Sequence, residues 1–278
     1  MNLTSGLRAA LLALCLTAAL PQAAQAHRAW LFPSATVLAG EDPWVTVDAA
    51  ISNDLFYFEH QPMRLDGLQV LGPDRAPVAA ENAGTGRYRS TFDVRLAKGG
   101  TYRIAVSNDT LLASFRVNGQ ARRLRGSEAS LRRELPAEAQ DLQVTRNQSR
   151  VETFVTAGKP SEEVLQPIGS GLEMVPVTHP NDIFVGDVAR LRFLLDGKPA
   201  AGLEVSVVPG GIRYRDQLGE MKLVTDAEGI VGIDWPAPGM YWVSARHGAG
   251  RGEREAGGTF EKPLRRTGYS ATLEVLPQ

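Results

Sequence analysis

The chain has 278 residues, 43% apolar and 22% charged, a composition that excludes a disordered, collagen-like or multi-span membrane chain. Thirty Lys and Arg stand against 31 Asp and Glu, a formal net charge of -1, so no overall basic field drives binding to nucleic acid. The 28 Gly and 17 Pro are spread along the chain, as expected where many short strands are joined by tight turns.

Residues 1–26 read as a signal peptide. Arg8 supplies the charged start, Ala9 to Leu20 the apolar core, and Ala24-Gln25-Ala26 the small-residue cleavage site. The apolar core is too short to span a bilayer as a stable helix and no second such run follows, so the expectation is a cleaved periplasmic protein, without an integral membrane segment, whose mature chain starts at His27. The single cysteine, Cys15, lies inside the removed segment, which leaves the mature protein without a disulfide or a thiolate metal ligand.

Downstream, period-two alternation marks strands. Val45, Val47, Ala49 and Ile51 alternate with polar residues, as do Tyr102, Ile104 and Val106, with Phe115 and Val117 following. Turns are signalled by Gly40 to Pro43, Leu71 to Asp74, Gly84 to Gly86 and Lys98 to Gly100, a spacing that suits a β-sandwich over residues 27–118. Residues 119–140 carry five arginines (Arg122, Arg123, Arg125, Arg132, Arg133) and a short helix that Ser127 can cap; they read as a linker, solvated or docked on an anionic surface. The strand pattern resumes in 141–278: Val151 to Val155, Val188 to Leu195, Leu203 to Val208, Met221 to Thr225, Ile230 to Asp234, Met240 to Arg246 and Tyr269 to Leu276. The run from Asp196-Gly197-Lys198-Pro199 through "TDAEG" to "PGMYWV" resembles the transthyretin-like sandwich of carboxypeptidase-regulatory and Cna-B modules. That resemblance implies a hairpin turn at Asp226 to Gly229 and an inward-packed aromatic after Pro238. The predicted fold is therefore all-β: two immunoglobulin-like or transthyretin-like β-sandwiches with a short helical linker.

Enzyme signatures are missing: no Gly-x-Ser-x-Gly elbow, P-loop, dinucleotide fingerprint or His-Glu-x-x-His occurs, and nothing sets two carboxylates across one cleft. Gly210-Gly211 before Arg213, Tyr214 and Arg215 reads as a plain turn.

Histidine is the informative residue type. There are four, His27, His60, His179 and His247, and the first lies at the expected mature N-terminus. Cleavage before His27 creates an α-amino group beside an imidazole, two nitrogens that together chelate a metal; another His completes an all-nitrogen brace suited to Cu(II) or Ni(II). His60, at the end of an aromatic loop in which Asp54 and Glu59 can orient an imidazole, is the first-choice partner. His179, in Thr178-His179-Pro180-Asn181-Asp182, is the second; His247, at a strand end, reads as a surface residue. The cluster Phe56, Tyr57 and Phe58 reads as packing rather than a ligand platform.

The stretches "AHRAWLFPSATVLAG", "VSNDTLLASFRV", "RVETFVTAGKPSEEVLQPIGSGLEMVPVTHPNDIFVGD", "TDAEGIVGIDWPAPGMYWVSARH" and "YSATLEVLP" together resemble the bacterial exported family of domain of unknown function 4198. The resemblance implies an exported protein with a histidine beside its cleavage site and, from members associated with nickel or cobalt uptake, an accessory role in metal handling. The expected function is a monomeric, non-enzymatic periplasmic protein that binds or delivers nickel, cobalt or copper through His27, His60 and His179, acting with a metal-uptake or envelope protein. The alternative is a module that recognises an envelope glycan or protein without metal. A copper oxidase or monooxygenase on the same brace is a third reading; it requires an open copper position and a substrate surface.

Overall fold

The computed structural model describes residues 27–248 and 258–278; residues 1–26, read from sequence as a signal peptide, and Cys15 within them lie outside these described residues. In chain order the strands are β1 (Arg28–Pro33), β2 (Val37–Leu38), β3 (Trp44–Ser52), β4 (Gln61–Pro62), β5 (Leu68–Leu71), β6 (Ala80–Thr85), β7 (Ser90–Arg95), β8 (Gly100–Val117) and β9 (Gln120–Gly126). After helix α1 (Glu128–Glu134) come β10 (Gln140–Ala157), β11 (Leu172–Pro176), β12 (Val188–Leu195), β13 (Lys198–Pro199) and β14 (Glu204–Pro209). The chain closes with β15 (Met221–Val224), β16 (Ile230–Asp234), β17 (Gly239–His247) and β18 (Leu264–Val275). The fold is all-β, as the alternation predicts, and the strand at Ile230 to Asp234 has the predicted bounds.

Among the described residues three sheets carry it. An N-terminal sheet runs β1-β3-β7-β6 with β4 on β3, and a C-terminal sheet runs β11-β12-β13 with β16 on β12. Between them a nine-stranded sheet, β15-β14-β17-β18-β10-β8-β5 with β2 and β9 attached, takes strands from both halves of the sequence. Side chains on paired residues share a face, so the register assigns every core residue to a side. Val151 and Val155 of β10 and Ile104 and Val106 of β8 pack against Val45, Val47, Phe92 and Val94 of the N-terminal sheet. Phe154 of β10, with Ala271 and Leu273 of β18 and Val243 of β17, faces the other way, onto Leu191, Phe193 and Ile233 of the C-terminal sheet. The two outer sheets thus cover opposite faces of the shared one, giving two sandwich cores with a common wall.

This arrangement corrects the reading of residues 119–140 as a linker. Residues 120–126 form β9, paired along its length with β8, while β10 pairs with β8 from Gln140↔Arg116 to Ala157↔Gly100. The join between the halves is therefore continuous sheet. The arginine-rich composition masks this strand because one face of the β8–β9 ribbon is left to solvent. The other face, with Phe115 and Ala113, buries Leu131 of α1. The helix itself forms as predicted: Ser127 Oγ accepts from the Ser130 amide at 3.2 Å, and Leu131 is its buried residue. Likewise Tyr102 to Val106 and Phe115 to Val117, which read as separate strands, belong to the single strand β8, whose polar middle lies beyond the N-terminal core. The turn expected at Gly84 to Gly86 closes slightly later, where the Gly86 amide donates to the Arg89 carbonyl at 2.8 Å, so Gly84 and Thr85 remain in β6.

Candidate functional site

β3 positions the histidines. Ile51 pairs with Ala29 of β1 on one side and with Gln61 of β4 on the other, so the chain entering β1 and the chain entering β4 arrive level with each other at the end of β3. His27 and His60 are the residues at those two entries, 33 positions apart in sequence, and their rings stack with centroids 3.9 Å apart at 31°. Both are exposed. The structure brings together His27 and its first-choice partner.

A built support lies under this pair. The His27 Nδ1–H donates to Asn53 Oδ1 at 2.7 Å. Asn53 is held through its backbone: its amide donates to Glu59 Oε1 at 2.7 Å, and its carbonyl accepts from Arg28 Nη1 at 2.7 Å. The Asp54 amide also donates to Glu59 Oε1, at 3.1 Å, so Glu59 caps the start of the loop. Glu59 therefore positions Asn53, and through it His27, rather than orienting the neighbouring imidazole as its place in sequence suggests. Burial, the largest effect, lowers the affinity of the Arg28 guanidinium for its proton, partly offset by Glu220 and Asp54; its guanidinium stacks 5.8 Å from the Trp242 ring centre.

The loop between β3 and β4 folds over an aromatic cluster, not a ligand platform. Trp30 packs against Phe56 and Phe58 at 5.5 and 5.4 Å between ring centres, and Phe32 against Phe56 at 5.0 Å. Trp30 and Trp242 belong to one buried cluster with Val208. The Trp242 Nε1–H and the Ser270 hydroxyl both donate to the Ala29 carbonyl, at 3.0 and 3.1 Å, locking β1 across β17 and β18. His27 thus leads into a strand anchored by both sheets of a sandwich, and His60 leads into β4, which pairs with β3. Gly210-Gly211 forms the predicted turn, with Gly211 at φ 73°.

His179 is not part of this group, which corrects the three-histidine ligand set. Its Nε2–H donates to Thr101 Oγ1 at 2.9 Å and its Nδ1 accepts from the Asn181 amide at 3.2 Å, so both ring nitrogens are committed. Thr101 Oγ1 lies 3.0 Å from Thr156 Oγ1, which donates to Asn181 Oδ1 at 2.9 Å. The Thr156 amide donates to the carbonyl of Thr36, beyond the far end of β1 from His27. A strand of β1's length separates the two by about 20 Å. Prolines and acidic neighbours around His179 describe a structural histidine as well as a ligand; only its tertiary partners decide. Among the described residues no cluster of three or more His, Cys, Asp or Glu is arranged to hold a metal. His247 is exposed at the end of β17, as read from sequence.

Half-burial of His179 depresses its proton affinity below the ordinary 6.5. A depressed imidazole refuses in the native state a proton that the unfolded chain accepts. Its contribution is therefore present above pH 6.5 and lost as pH falls through the native pKa. His179→Gln is expected to flatten the decline of Tm between about pH 6.5 and 5 while leaving metal affinity unchanged; thermal melts across that range check both.

Sequence reasoning missed Asn53 and Arg28. The only available signal for Asn53 is the Ser52-Asn53-Asp54 turn preceding the aromatic run, which marks a loop but not which side chain turns toward His27. Among the described residues no helix is long and apolar enough to cross a membrane.

Comparison with known proteins adds family but not activity. No curated protein matches the sequence. Solved structures that resemble it do so remotely. The D0-D1 domain of intimin is 12% identical, covering 88% of this chain and 97% of that one, with a TM-score of 0.23. The human OSCAR ligand-binding domain is 14% identical over 90% and 100%, at 0.20, and a marsupial T cell receptor 12% identical over 90% and 74%, at 0.21. Residues 24–249 match the family described as domain of unknown function DUF4198, and the chain belongs to that family.

Proposed function

We propose that this chain is a non-catalytic periplasmic metal-binding accessory protein, handling nickel, cobalt or copper and passing it to a metal-uptake or envelope partner. The observation that carries the reading is the contact between His27 and His60, two exposed imidazoles whose ring centroids lie 3.9 Å apart where the chain enters β1 and β4. The donor set fits a divalent transition ion. Removal of residues 1–26 adds the α-amino nitrogen of His27 to the two imidazoles, three neutral nitrogen donors without thiolate or carboxylate. Chelation by the amino group and the His27 ring uses Nδ1, so binding exchanges the Asn53 hydrogen bond for a metal bond. Asn53 and Glu59 then hold the empty site in place and yield one contact on loading.

The test is titration of Cu(II), Ni(II) and Co(II) into mature protein whose first residue is confirmed as His27 by intact mass. A second form carries one additional N-terminal alanine. The expected result is 1:1 binding in the first form and at least about a hundredfold weaker binding in the extended form, as the loss of one ligand from a chelate implies. His60→Ala is expected to weaken binding similarly, and the loaded protein to show no peroxide-dependent turnover. Equal binding by the native and extended forms would overturn the site.

A further inference from the structure

The shared sheet is not covered along its whole length. On the face that the N-terminal sheet overlies, the covered core ends at Val106 of β8 and Val151 of β10. Beyond it the same face continues across β9, β8, β10, β18 and β17. Register places Arg123 and Arg125 opposite Ser114 and Leu112, and these opposite Gln143 and Thr145. Asn147 pairs in turn with Arg266, and Gly268 with Arg246. With Arg116, beside Gln143 on β8, five arginines from four strands therefore share one face.

Carboxylates are outnumbered there and lie at its edges. Among the described residues of this face, Asp141 sits beyond a bulge, 3.8 Å from Arg116, the Glu274 carboxylate is taken by the Thr36 hydroxyl at the covered end, and at the far edge Glu204 of β14 stands in register beside Arg246, with Glu220 lining the same pocket, so the cations in excess are those of β8, β9 and β18. The acids of this region lie on the other side: Arg146 pairs with Asp109, and Arg132 with Glu128 and Glu261. Arg123 and Arg125 are exposed, and among the described residues Arg125 donates to the Thr110 hydroxyl at 3.2 Å. In a chain of net charge -1, alternation along β8, β9 and β18 has gathered an excess of cations on one surface.

Shape chooses the partner. The strip is about 20 Å wide across its five strands and is recessed beside the N-terminal sheet, which stands about 10 Å above it. A flat bilayer meets that step first, whereas a linear chain can lie in the recess. The side chains between the arginines, Asn147 and Ser149, are hydrogen-bonding groups suited to hydroxyls, and among the described residues this strip beyond the covered core holds no aromatic ring on which a nucleobase would stack. We propose that this face binds a linear acidic polysaccharide, its arginines pairing with the polymer's anionic groups in forked, charge-assisted hydrogen bonds. The site is independent of His27 and His60.

The test is affinity electrophoresis of the mature protein in gels containing alginate, a linear polyuronate, or neutral dextran, with sedimentation against phosphatidylglycerol vesicles beside it. Alginate retardation that weakens with added salt, without retardation by dextran, is the expected result. Arg123→Ser/Arg125→Ser is expected to lower alginate affinity about tenfold or more, while Arg133→Ser/Lys262→Ser, which removes two exposed charges from the opposite side, leaves it within about twofold. Equal thermal melts show that both variants are folded. Absence of alginate binding, equal loss in both variants, or binding to vesicles in place of alginate would overturn the proposal. The alanine-extended form, defective in metal binding, is expected to retain alginate binding, which separates failure of one site from failure of the other.

Discussion

Glu152→Ala is expected to destabilise the protein by about 3–5 kcal/mol, the cost of breaking a buried ion pair by removing one partner. Glu152 is 1% exposed in β10, at the wall between the two sandwich cores. One carboxylate oxygen accepts from the Tyr269 hydroxyl at 2.8 Å and the other from Arg150 Nη1 at 3.1 Å. Nearby Arg103 is also buried; it stacks on Phe154 and, among the described residues, has a long hydrogen bond, 3.4 Å, to the Gln166 carbonyl and no partner for its Nε. Without Glu152 the buried guanidiniums lose their counter-charge and the Tyr269 hydroxyl its acceptor. Differential scanning calorimetry should show a fall in Tm of roughly 10 °C for a chain of this size, and an unchanged Tm would mean that the cluster carries no stability. Tyr269→Phe removes only one hydrogen bond to a charged group, about 1.5–3 kcal/mol.

The same phenol sets an alkaline limit. Burial first, and Glu152 second, push the Tyr269 hydroxyl well above its ordinary 10.0. A raised phenol keeps its proton in the native state after the unfolded chain has released it. Its contribution is thus complete below pH 10 and is lost as pH rises from there toward the native pKa. Tyr269→Phe is less stable at neutral pH, yet its stability should fall less steeply above pH 10 than that of the parent.

Gly229→Ala is the second large effect. Gly229 ends the Asp226 turn at φ 74°, where an L side chain is strained by about 1–3 kcal/mol on its own. An added Cβ would also overlap the Phe193 carbonyl oxygen and lie 3.0 Å from the Ala200 nitrogen. Those two groups are hydrogen-bonded to each other at 3.0 Å, and the Phe193 amide donates to the Gly229 carbonyl at 2.7 Å, so the clash falls on backbone that cannot rotate away. The turn is shaped from within by Asp226, whose Oδ1 accepts the Glu228 and Ile230 amides at 3.0 and 2.7 Å. Urea unfolding is expected to show a lower midpoint by more than the backbone strain alone accounts for; a shift below about 1 kcal/mol would mean the turn relaxes freely.

Much of this fold is legible in the sequence because its strands announce themselves by alternation. Val188 to Leu195 and Ile230 to Asp234 were expected with the bounds that the structure has, and "TDAEG" is a turn for the expected reason. "PGMYWV" shows the limit of that signal. Tyr241 does pack inward on Trp235, but the adjacent Trp242, also buried, points to the opposite face, into the cluster with Trp30. Alternation separates the two residues without saying that both faces are covered. The arginine-rich β9 fails for a related reason: it is an edge strand with one open face and too few apolar residues to display a period.

By itself the sequence determined the all-β class, most strands of the second half and the Ser127-capped helix, and it offered His27, His60 and His179 as candidates. Each of these follows from local chemistry: side-chain period, turn geometry, capping and residue type. The tertiary structure decided which strands share a sheet, and so replaced a linker with a continuous wall between two cores. It also decided between two equally polar histidines, placing His60 on His27 through the pairing of β1 and β4 on β3, and committing both nitrogens of His179 to Thr101 and Asn181. Strand order depends on long-range pairing and on which buried polar groups need partners, and neither is written in the spacing of residues along a single strand.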